Sequence, residues 1–378
     1  MANIFDYLMW RGDVPFDADP FNEVDNLVLA ELSYTFFEGL VPDDGTEVSL
    51  KEVCDGFFST HSREDVSKES NPIHRTPLLM DGMLSGRRFS KTRLARYVNK
   101  VEADNDLQFS AITFRLSDGT DYVAFRGTDN TVVGWKEDFN MSYLSRTEGQ
   151  KMAAEYLTQV GSSTRRPLRV GGHSKGGNFA VFASAFCGSK IQDRIITVYS
   201  NDGPGFRDEI MNTGEYKRIL PKVISIVPDT SVIGMLLTSK VRHQVVKSSE
   251  SGLSQHDGQT WQVERNRFVS AELTELAEYI RSTQKDWLSK IDDESRESFV
   301  NILFSIFEAT GIGTFGAMKG DMLKSIESMM TFMGQLPKDK QRELMRVFGE
   351  LIQSGGQVAF NALQDKIKDI SEPDGQQS

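Results

Sequence analysis

The chain has 378 residues and a formal net charge of −11, enough length for one large core plus an accessory domain and the wrong charge for general nucleic-acid affinity. No run of about 18 apolar residues occurs, so no membrane-spanning helix is expected. The start, Met1–Asp6, lacks a basic stretch followed by an apolar one, and Cys54 and Cys187 stand far apart without metal-type spacing. The expectation is therefore a cytoplasmic chain with two buried free thiols, no metal and no cofactor.

Residues 22–40 read as a first amphipathic helix, with Val24, Leu27, Val28, Leu32 and Phe36 on one side. Residues 41–107 read as a polar, irregular insertion with a helix near 50–58. Within it Arg87, Arg88, Lys91, Arg93, Arg96 and Lys100 form a basic cluster. A solvated helix face is the simpler reading of that cluster. A peripheral contact with anionic head groups, or with a phosphate-bearing substrate, is the alternative.

Residues 108–116 and 121–125 read as strands, joined by the turn signal Ser117-Asp118-Gly119-Thr120 into a hairpin at the front of a sheet. Strands and helices then alternate: a helix at 148–160, a strand at 168–172, a helix at 176–187, and strands at 194–199 and 223–227. Such alternation predicts an α/β fold with a mostly parallel sheet flanked by helices. From about residue 270 the pattern is helical only. Phe299, Leu303, Ile306 and Phe307 share helical spacing, as do Leu344, Val347, Phe348 and Leu351. Gly311, Gly313 and Gly316 break the chain between these stretches. Met318, Met322, Met329, Met330 and Met333 suit adaptable apolar contacts, with packing against the core as the simpler use. The reading is a domain at 1–269, an all-helical C-terminal extension at 270–378, and a disordered tail from about 371.

Gly172-His173-Ser174-Lys175-Gly176 has the G-x-S-x-G spacing of a nucleophile elbow. A serine on a sharp strand-to-helix turn stands clear of its own backbone, and glycines two residues either side let strand and helix pass closely. A strand candidate precedes the motif, and a small, apolar helix candidate follows it. An elbow serine needs a base and a group that orients the base. After Ser174 the histidines are His243 and His256. His243 sits in the alternating stretch 240–246 and reads as a strand residue; His256 sits in a polar loop and is the preferred base. His173, beside the serine, is expected to pack away from it. For the acid, Asp229 follows the apolar run 223–228 at the carboxyl end of a strand, where functional groups collect in open α/β sheets. Asp202, in Asn201-Asp202-Gly203, is the alternative, and Asp229 is preferred. For the oxyanion hole, the amides of Lys175 and Thr128 are the candidate donors. Arg126 is expected to brace its loop through a carboxylate such as Asp138.

Phe125-Arg126-Gly127-Thr128, Trp135 with Asp138, Gly172–Gly177 and Val227-Pro228-Asp229 resemble, in this order, the motifs of the class 3 lipases. The match covers about residues 108–260. The chain is also similar to a group of bacterial lipase-like proteins with a G-H-S-K-G-G elbow. The resemblance implies an α/β-hydrolase fold, a Ser174–His256–Asp229 triad, and an oxyanion hole from Thr128 and Lys175. It implies hydrolysis of carboxylic esters, small-molecule or lipid, through an acyl-enzyme. Acyl transfer by the same residues, and an inactive scaffold that binds a membrane or protein partner, are the competing readings. Lys175 departs from the family, where an apolar residue is common after the serine; an anionic substrate or plain solvent exposure would suit it.

Overall fold

The structure, a computed structural model, describes residues 1–102, 104, 106–129 and 132–309, with 338, 342 and 346. The glycine breaks at 311–316, the methionine-rich stretch, the apolar spacing of Leu344, Val347, Phe348 and Leu351, and the tail from 371 lie outside these residues. The chain divides into two compact units, Met1–Thr274 and Glu275–Ser378.

The first unit is built on one sheet. Its strands are β1 (Val48–Ser49), β2 (Arg93–Glu102), β3 (Leu107–Arg115), β4 (Asp121–Phe125), β5 (Leu168–His173), β6 (Ile195–Asn201), β7 (Val223–Pro228) and β8 (His243–Val246). Among the described residues these eight strands lie in sequence order. β1 to β4 pair antiparallel, and β4 to β8 pair parallel. β2 to β4 follow one another through short turns, whereas a helical stretch at 50–85 separates β1 from β2 and helical crossovers join the parallel strands β4 to β7.

The helices of this unit that matter to the site are α1 (Ile4–Arg11), α2 (Glu23–Leu32), α3 (Leu50–Thr60), α4 (Arg63–Ser67), α5 (Leu79–Ser85), α6 (Val132–Asn140), α7 (Glu148–Ser163) and α8 (Lys175–Phe186). Capping boxes start four of them: Asn3 with Asp6, Asn22 with Asp25, Ser49 with Glu52, and Thr147 with Gln150. In each the cap side chain takes the amide three residues on, and that residue's side chain takes the cap amide.

Successive strand residues point to opposite faces, so the sheet feeds two cores. Ile112, Phe114, Tyr122 and Ala124 pack with α1, α2, α3 and α5 on one face. Phe109, Ala111, Val123 and Phe125 pack with α7 and α8 on the other. Strands buried on both faces read as apolar runs, which is why β3 to β7 stand out in the sequence.

Three expectations change here. The first helix ends at Leu32 rather than near residue 40, and Val24–Leu32 is buried all round, with Phe36 half exposed beyond it. The segment 41–107 is not irregular throughout: it holds β1 and β2, so four antiparallel strands, not a hairpin, front the sheet. β2 hid because a bulge between Ala95 and Val98 breaks its alternation, with Arg96 at φ 58°. The basic cluster is not one helix face either. Arg93, Arg96 and Lys100 lie on β2, and Arg88 is fully buried.

Arg88 instead ties the N-terminal segment to the core. Its Nε donates to Asp25 Oδ1 at 2.7 Å, and its Nη2 also meets Asp25 Oδ2. The same guanidinium donates to the carbonyls of Val14, Asp19 and Pro20 at 3.0, 2.8 and 3.1 Å. Tyr7 adds its hydroxyl to Asp25 at 2.8 Å. Only a planar fork satisfies this many acceptors at once.

The second unit contains the helices Glu275–Lys290 and Asp293–Ala309, with the Trp287 and Phe299 rings edge to face at 6.1 Å. Among the described residues no helix is long and apolar enough to cross a membrane.

Breaking a buried ion pair by removing one partner costs about 3–5 kcal/mol. Arg88→Met is therefore expected to lower the urea midpoint of the first unit strongly, and Arg88→Lys to rescue little of it. An unchanged midpoint in Arg88→Met would show that the Asp25 carboxyl needs no partner.

Candidate active site

Ser174 lies between β5 and α8 with φ 57° and ψ −132°. A residue with a side chain avoids this region at a cost of about 1–3 kcal/mol, so the surroundings must enforce it. They do so by close packing. A Cβ on Gly172 would meet the backbone of Gly176, and a Cβ on Gly176 would meet the carbonyl of Phe125 at the end of β4. Elbow strand, elbow helix and neighbouring strand thus touch through backbone alone. The Ser174 amide continues the sheet ladder to Asn201 O at 2.9 Å.

Ser174 Oγ stands 2.9 Å from His256 Nε2, and His256 Nδ1 stands 2.6 Å from Asp202 Oδ2. A carboxylate accepts, so Nδ1 carries the proton, and the neutral imidazole accepts the serine hydroxyl at Nε2. Asp202 is fixed in turn. Its Oδ1 accepts from Ser231 Oγ at 2.5 Å and from the Gly234 amide at 3.1 Å.

The carboxylate on His256 is thus Asp202, not Asp229. Sheet register gives the reason. His173 pairs with Asn201 across β5 and β6, so the next residue on each strand, Ser174 and Asp202, emerge side by side. Asp229 follows β7, one strand further away, and neighbouring strands are about 4.8 Å apart. Its side chain takes the Thr230 hydroxyl at 3.1 Å, and its carbonyl takes the Thr274 amide at 2.8 Å. The sequence signal for Asp202 was the first strand after the elbow helix, since a single crossover returns to the adjacent position. His243 lies on β8 with Nδ1 2.8 Å from Ser225 Oγ on β7.

Thr128 follows β4 and donates its hydroxyl to Asp138 Oδ2 at 2.7 Å. Burial pushes the Asp138 carboxyl up to about 6, against the pull of Lys175 and the Thr128 hydroxyl. Arg126 does not use Asp138. Its guanidinium donates to Asn99 Oδ1 at 3.0 Å and lies 3.6 Å from Asp129. Gly127 between them allows the turn to sit on the elbow: a Cβ there would lie 2.6 Å from His173 O and 3.0 Å from Ser174 Cβ.

Lys175 does not face solvent. It is 1% exposed, with Nζ 3.0 Å from Glu137 Oε2 and 3.3 Å from Gln108 Oε1. Glu137 also accepts the amides of Gln108 at 3.1 Å and Gly149 at 2.9 Å. An isolated buried lysine at a helix N-terminus would be costly; a carboxylate with two further donors makes it tolerable. Lys175 with Glu137, and Thr128 with Asp138, thus tie both candidate oxyanion donors to neighbouring residues of α6.

His173 does not merely pack. Its Nε2 is 2.7 Å from the carbonyl of His256, and its Nδ1 is 3.0 Å from Tyr34 Oη. Burial holds the imidazole down at about 3. Glu31 Oε1 lies 3.6 Å from His173 Nδ1 and, among the described residues, has no hydrogen-bond partner. Burial, with Asp257 nearby, raises Glu31 to about 8.

A mostly parallel sheet flanked by helices, with a serine on a strand–helix elbow, is the architecture of the α/β-hydrolase fold. A family model described as Mbeg1-like matches residues 83–305, and the chain belongs to that family. No curated protein sequence matches it. Similar solved structures include a fungal lipase–inhibitor complex, at 13% identity over 59% of this chain and 77% of that chain, with a TM-score of 0.38. The lipase from Rhizopus microsporus var. chinensis is 12% identical over 62% of this chain and 86% of its own, with a TM-score of 0.35. The M37 lipase is 14% identical over 56% of this chain and 68% of its own, also with a TM-score of 0.35.

The raised Glu31 pKa sets a pH dependence of stability. Below about 4.5 the carboxyl is protonated both folded and unfolded. Between that value and about 8 only the folded form keeps its proton, so folding loses stability as pH rises. Glu31→Gln removes this loss. Its Tm is expected to match wild type near pH 4.5 and to exceed it increasingly up to pH 8; a constant difference across that range would refute the assignment.

Proposed function

We propose that this protein is a serine hydrolase of carboxylic esters. Ser174 is the nucleophile, His256 the general base and Asp202 the residue that orients it. His256 bonded at once to Ser174 Oγ and to the Asp202 carboxylate is the observation that carries this reading. His256 takes the serine proton as Oγ attacks the ester carbonyl. The tetrahedral oxyanion is held by the amides of Thr128 and Lys175, the latter at the N-terminal end of α8 where helix amides lack intrahelical partners. His256 then gives its proton to the leaving alcohol, and an acyl-enzyme remains on Ser174. Water, activated by the same imidazole, releases the acid and restores the serine. Asp202 keeps the Nδ1 proton in place and stabilises the imidazolium formed in each half-reaction.

Lys175 supports the reaction through its amide, since its ammonium is engaged by Glu137. It therefore gives no ground for an anionic substrate. Small esters, lipid esters and thioesters all fit the chemistry. Cys54 and Cys187 are both free and buried, which supports a reducing compartment for the protein.

Asp202→Asn is expected to lower kcat on a short p-nitrophenyl ester by about 10^4-fold, as loss of the orienting acid does in related triads. Asp229→Asn is expected to stay within about 3-fold of wild type, a change of less than 1 kcal/mol in barrier. The reverse pattern would return the acid role to Asp229.

A further inference from the structure

Resting on that hydrolase reading, we infer that His173 is a positioning residue that sets the orientation of His256 through its backbone carbonyl. A base that must meet Ser174 Oγ and Asp202 at once needs a fixed main chain as well as a fixed ring. His256 ends the short turn Gly252–His256, which has no strand ladder of its own. Neighbouring contacts hold the turn from one side: Trp261 Nε1 donates to Gln255 O at 2.9 Å, and Gln255 Oε1 takes the Thr230 amide at 2.9 Å. On the elbow side, His256's own carbonyl is held by His173 Nε2 at 2.7 Å.

The chemistry of the partners sets the His173 tautomer. A carbonyl only accepts, so Nε2 carries the proton. In a neutral ring Nδ1 is then an acceptor, and the Tyr34 hydroxyl donates to it. Both ring nitrogens are therefore committed, and the ring cannot flip without losing a bond at each end. Charge matters as well. The two imidazole rings lie 4.6 Å apart, tilted by 34°. A cation on His173 would oppose the imidazolium that His256 forms during catalysis. Burial keeps His173 neutral, and Glu31, the carboxyl nearest its Nδ1, is itself held protonated through neutral pH. The groups facing the ring are thus Tyr34 and Glu31 from the N-terminal helical segment, and His256 and Trp261 from the histidine loop. The residue before the nucleophile couples the elbow strand to the loop that carries the base.

Glutamine places an N–H donor where His173 has Nε2, whereas asparagine reaches only to the Nδ1 position. On a short, soluble p-nitrophenyl ester, His173→Asn is expected to lose about 10- to 100-fold in kcat with KM within about 2-fold, the signature of a misplaced base. His173→Gln is expected to recover most of that loss. Tyr34→Phe, which removes one oxygen and keeps the ring volume, is the second arm should His173→Asn not fold; a kcat loss of about 3- to 10-fold is expected. A readout independent of turnover is the low-field proton resonance of His256 Nδ1–H against Asp202, identified by its loss in Asp202→Asn. It is expected to shift or broaden in His173→Asn and in Tyr34→Phe and to persist in His173→Gln. Unchanged kcat and an unmoved resonance in both His173→Asn and Tyr34→Phe would overturn the inference. A chain that turns over no ester while its resonance still responds would sink the hydrolase reading and leave the coupling standing.

Discussion

Ser174 occupies a backbone conformation that residues with side chains avoid, and the contacts that keep it there organise the rest of the site. Its φ of 57° is imposed by β4, β5 and the start of α8 meeting through glycine backbone. Strain of about 1–3 kcal/mol is small against the packing of two cores, so the sheet can hold it. The same ladder that takes the Ser174 amide also brings Asp202 to the adjacent strand end. Ser174 and Asp202 are placed by one register, and His256 only has to arrive from a loop above the strand ends.

Buried charge is the second theme. Arg88 with Asp25 and Lys175 with Glu137 are pairs in which both side chains are almost wholly out of water. Neither is a cheap source of stability, because desolvation offsets much of the attraction. What they supply is connection. Arg88 fixes the N-terminal segment against α2, the helix that also presents Glu31. Lys175 fixes the first residue of α8 against α6, whose next residue, Asp138, holds Thr128.

The parts of the fold that the sequence disclosed are those with an unbroken local period. β3 to β7 are apolar runs bounded by turn residues, and α7 and α8 follow ordinary helix signals. β2 was lost because one bulge at Arg96 destroys its alternation and because arginines and lysines along it suggest a solvated helix. In the site, Ser174 and His256 are marked locally, by an elbow and a polar loop. The choice between Asp202 and Asp229 depends on which strand lies next to β5, and spatial strand order leaves no local mark. The burial of Lys175 is hidden for a related reason. Its partner Glu137 is remote in sequence, and a lysine without a visible partner reads as exposed. His173 shows the converse case: it stands beside the serine in sequence, yet its partner, the carbonyl of His256, is remote.

The central claim is that Ser174 carries the acyl group, and peptide mapping after reaction with a fluorophosphonate tests it most directly. The account predicts a single phosphonylated peptide containing Ser174, absent when the protein is denatured beforehand and absent in Ser174→Ala. Labelling at another residue, or equal labelling of Ser174→Ala, would contradict it.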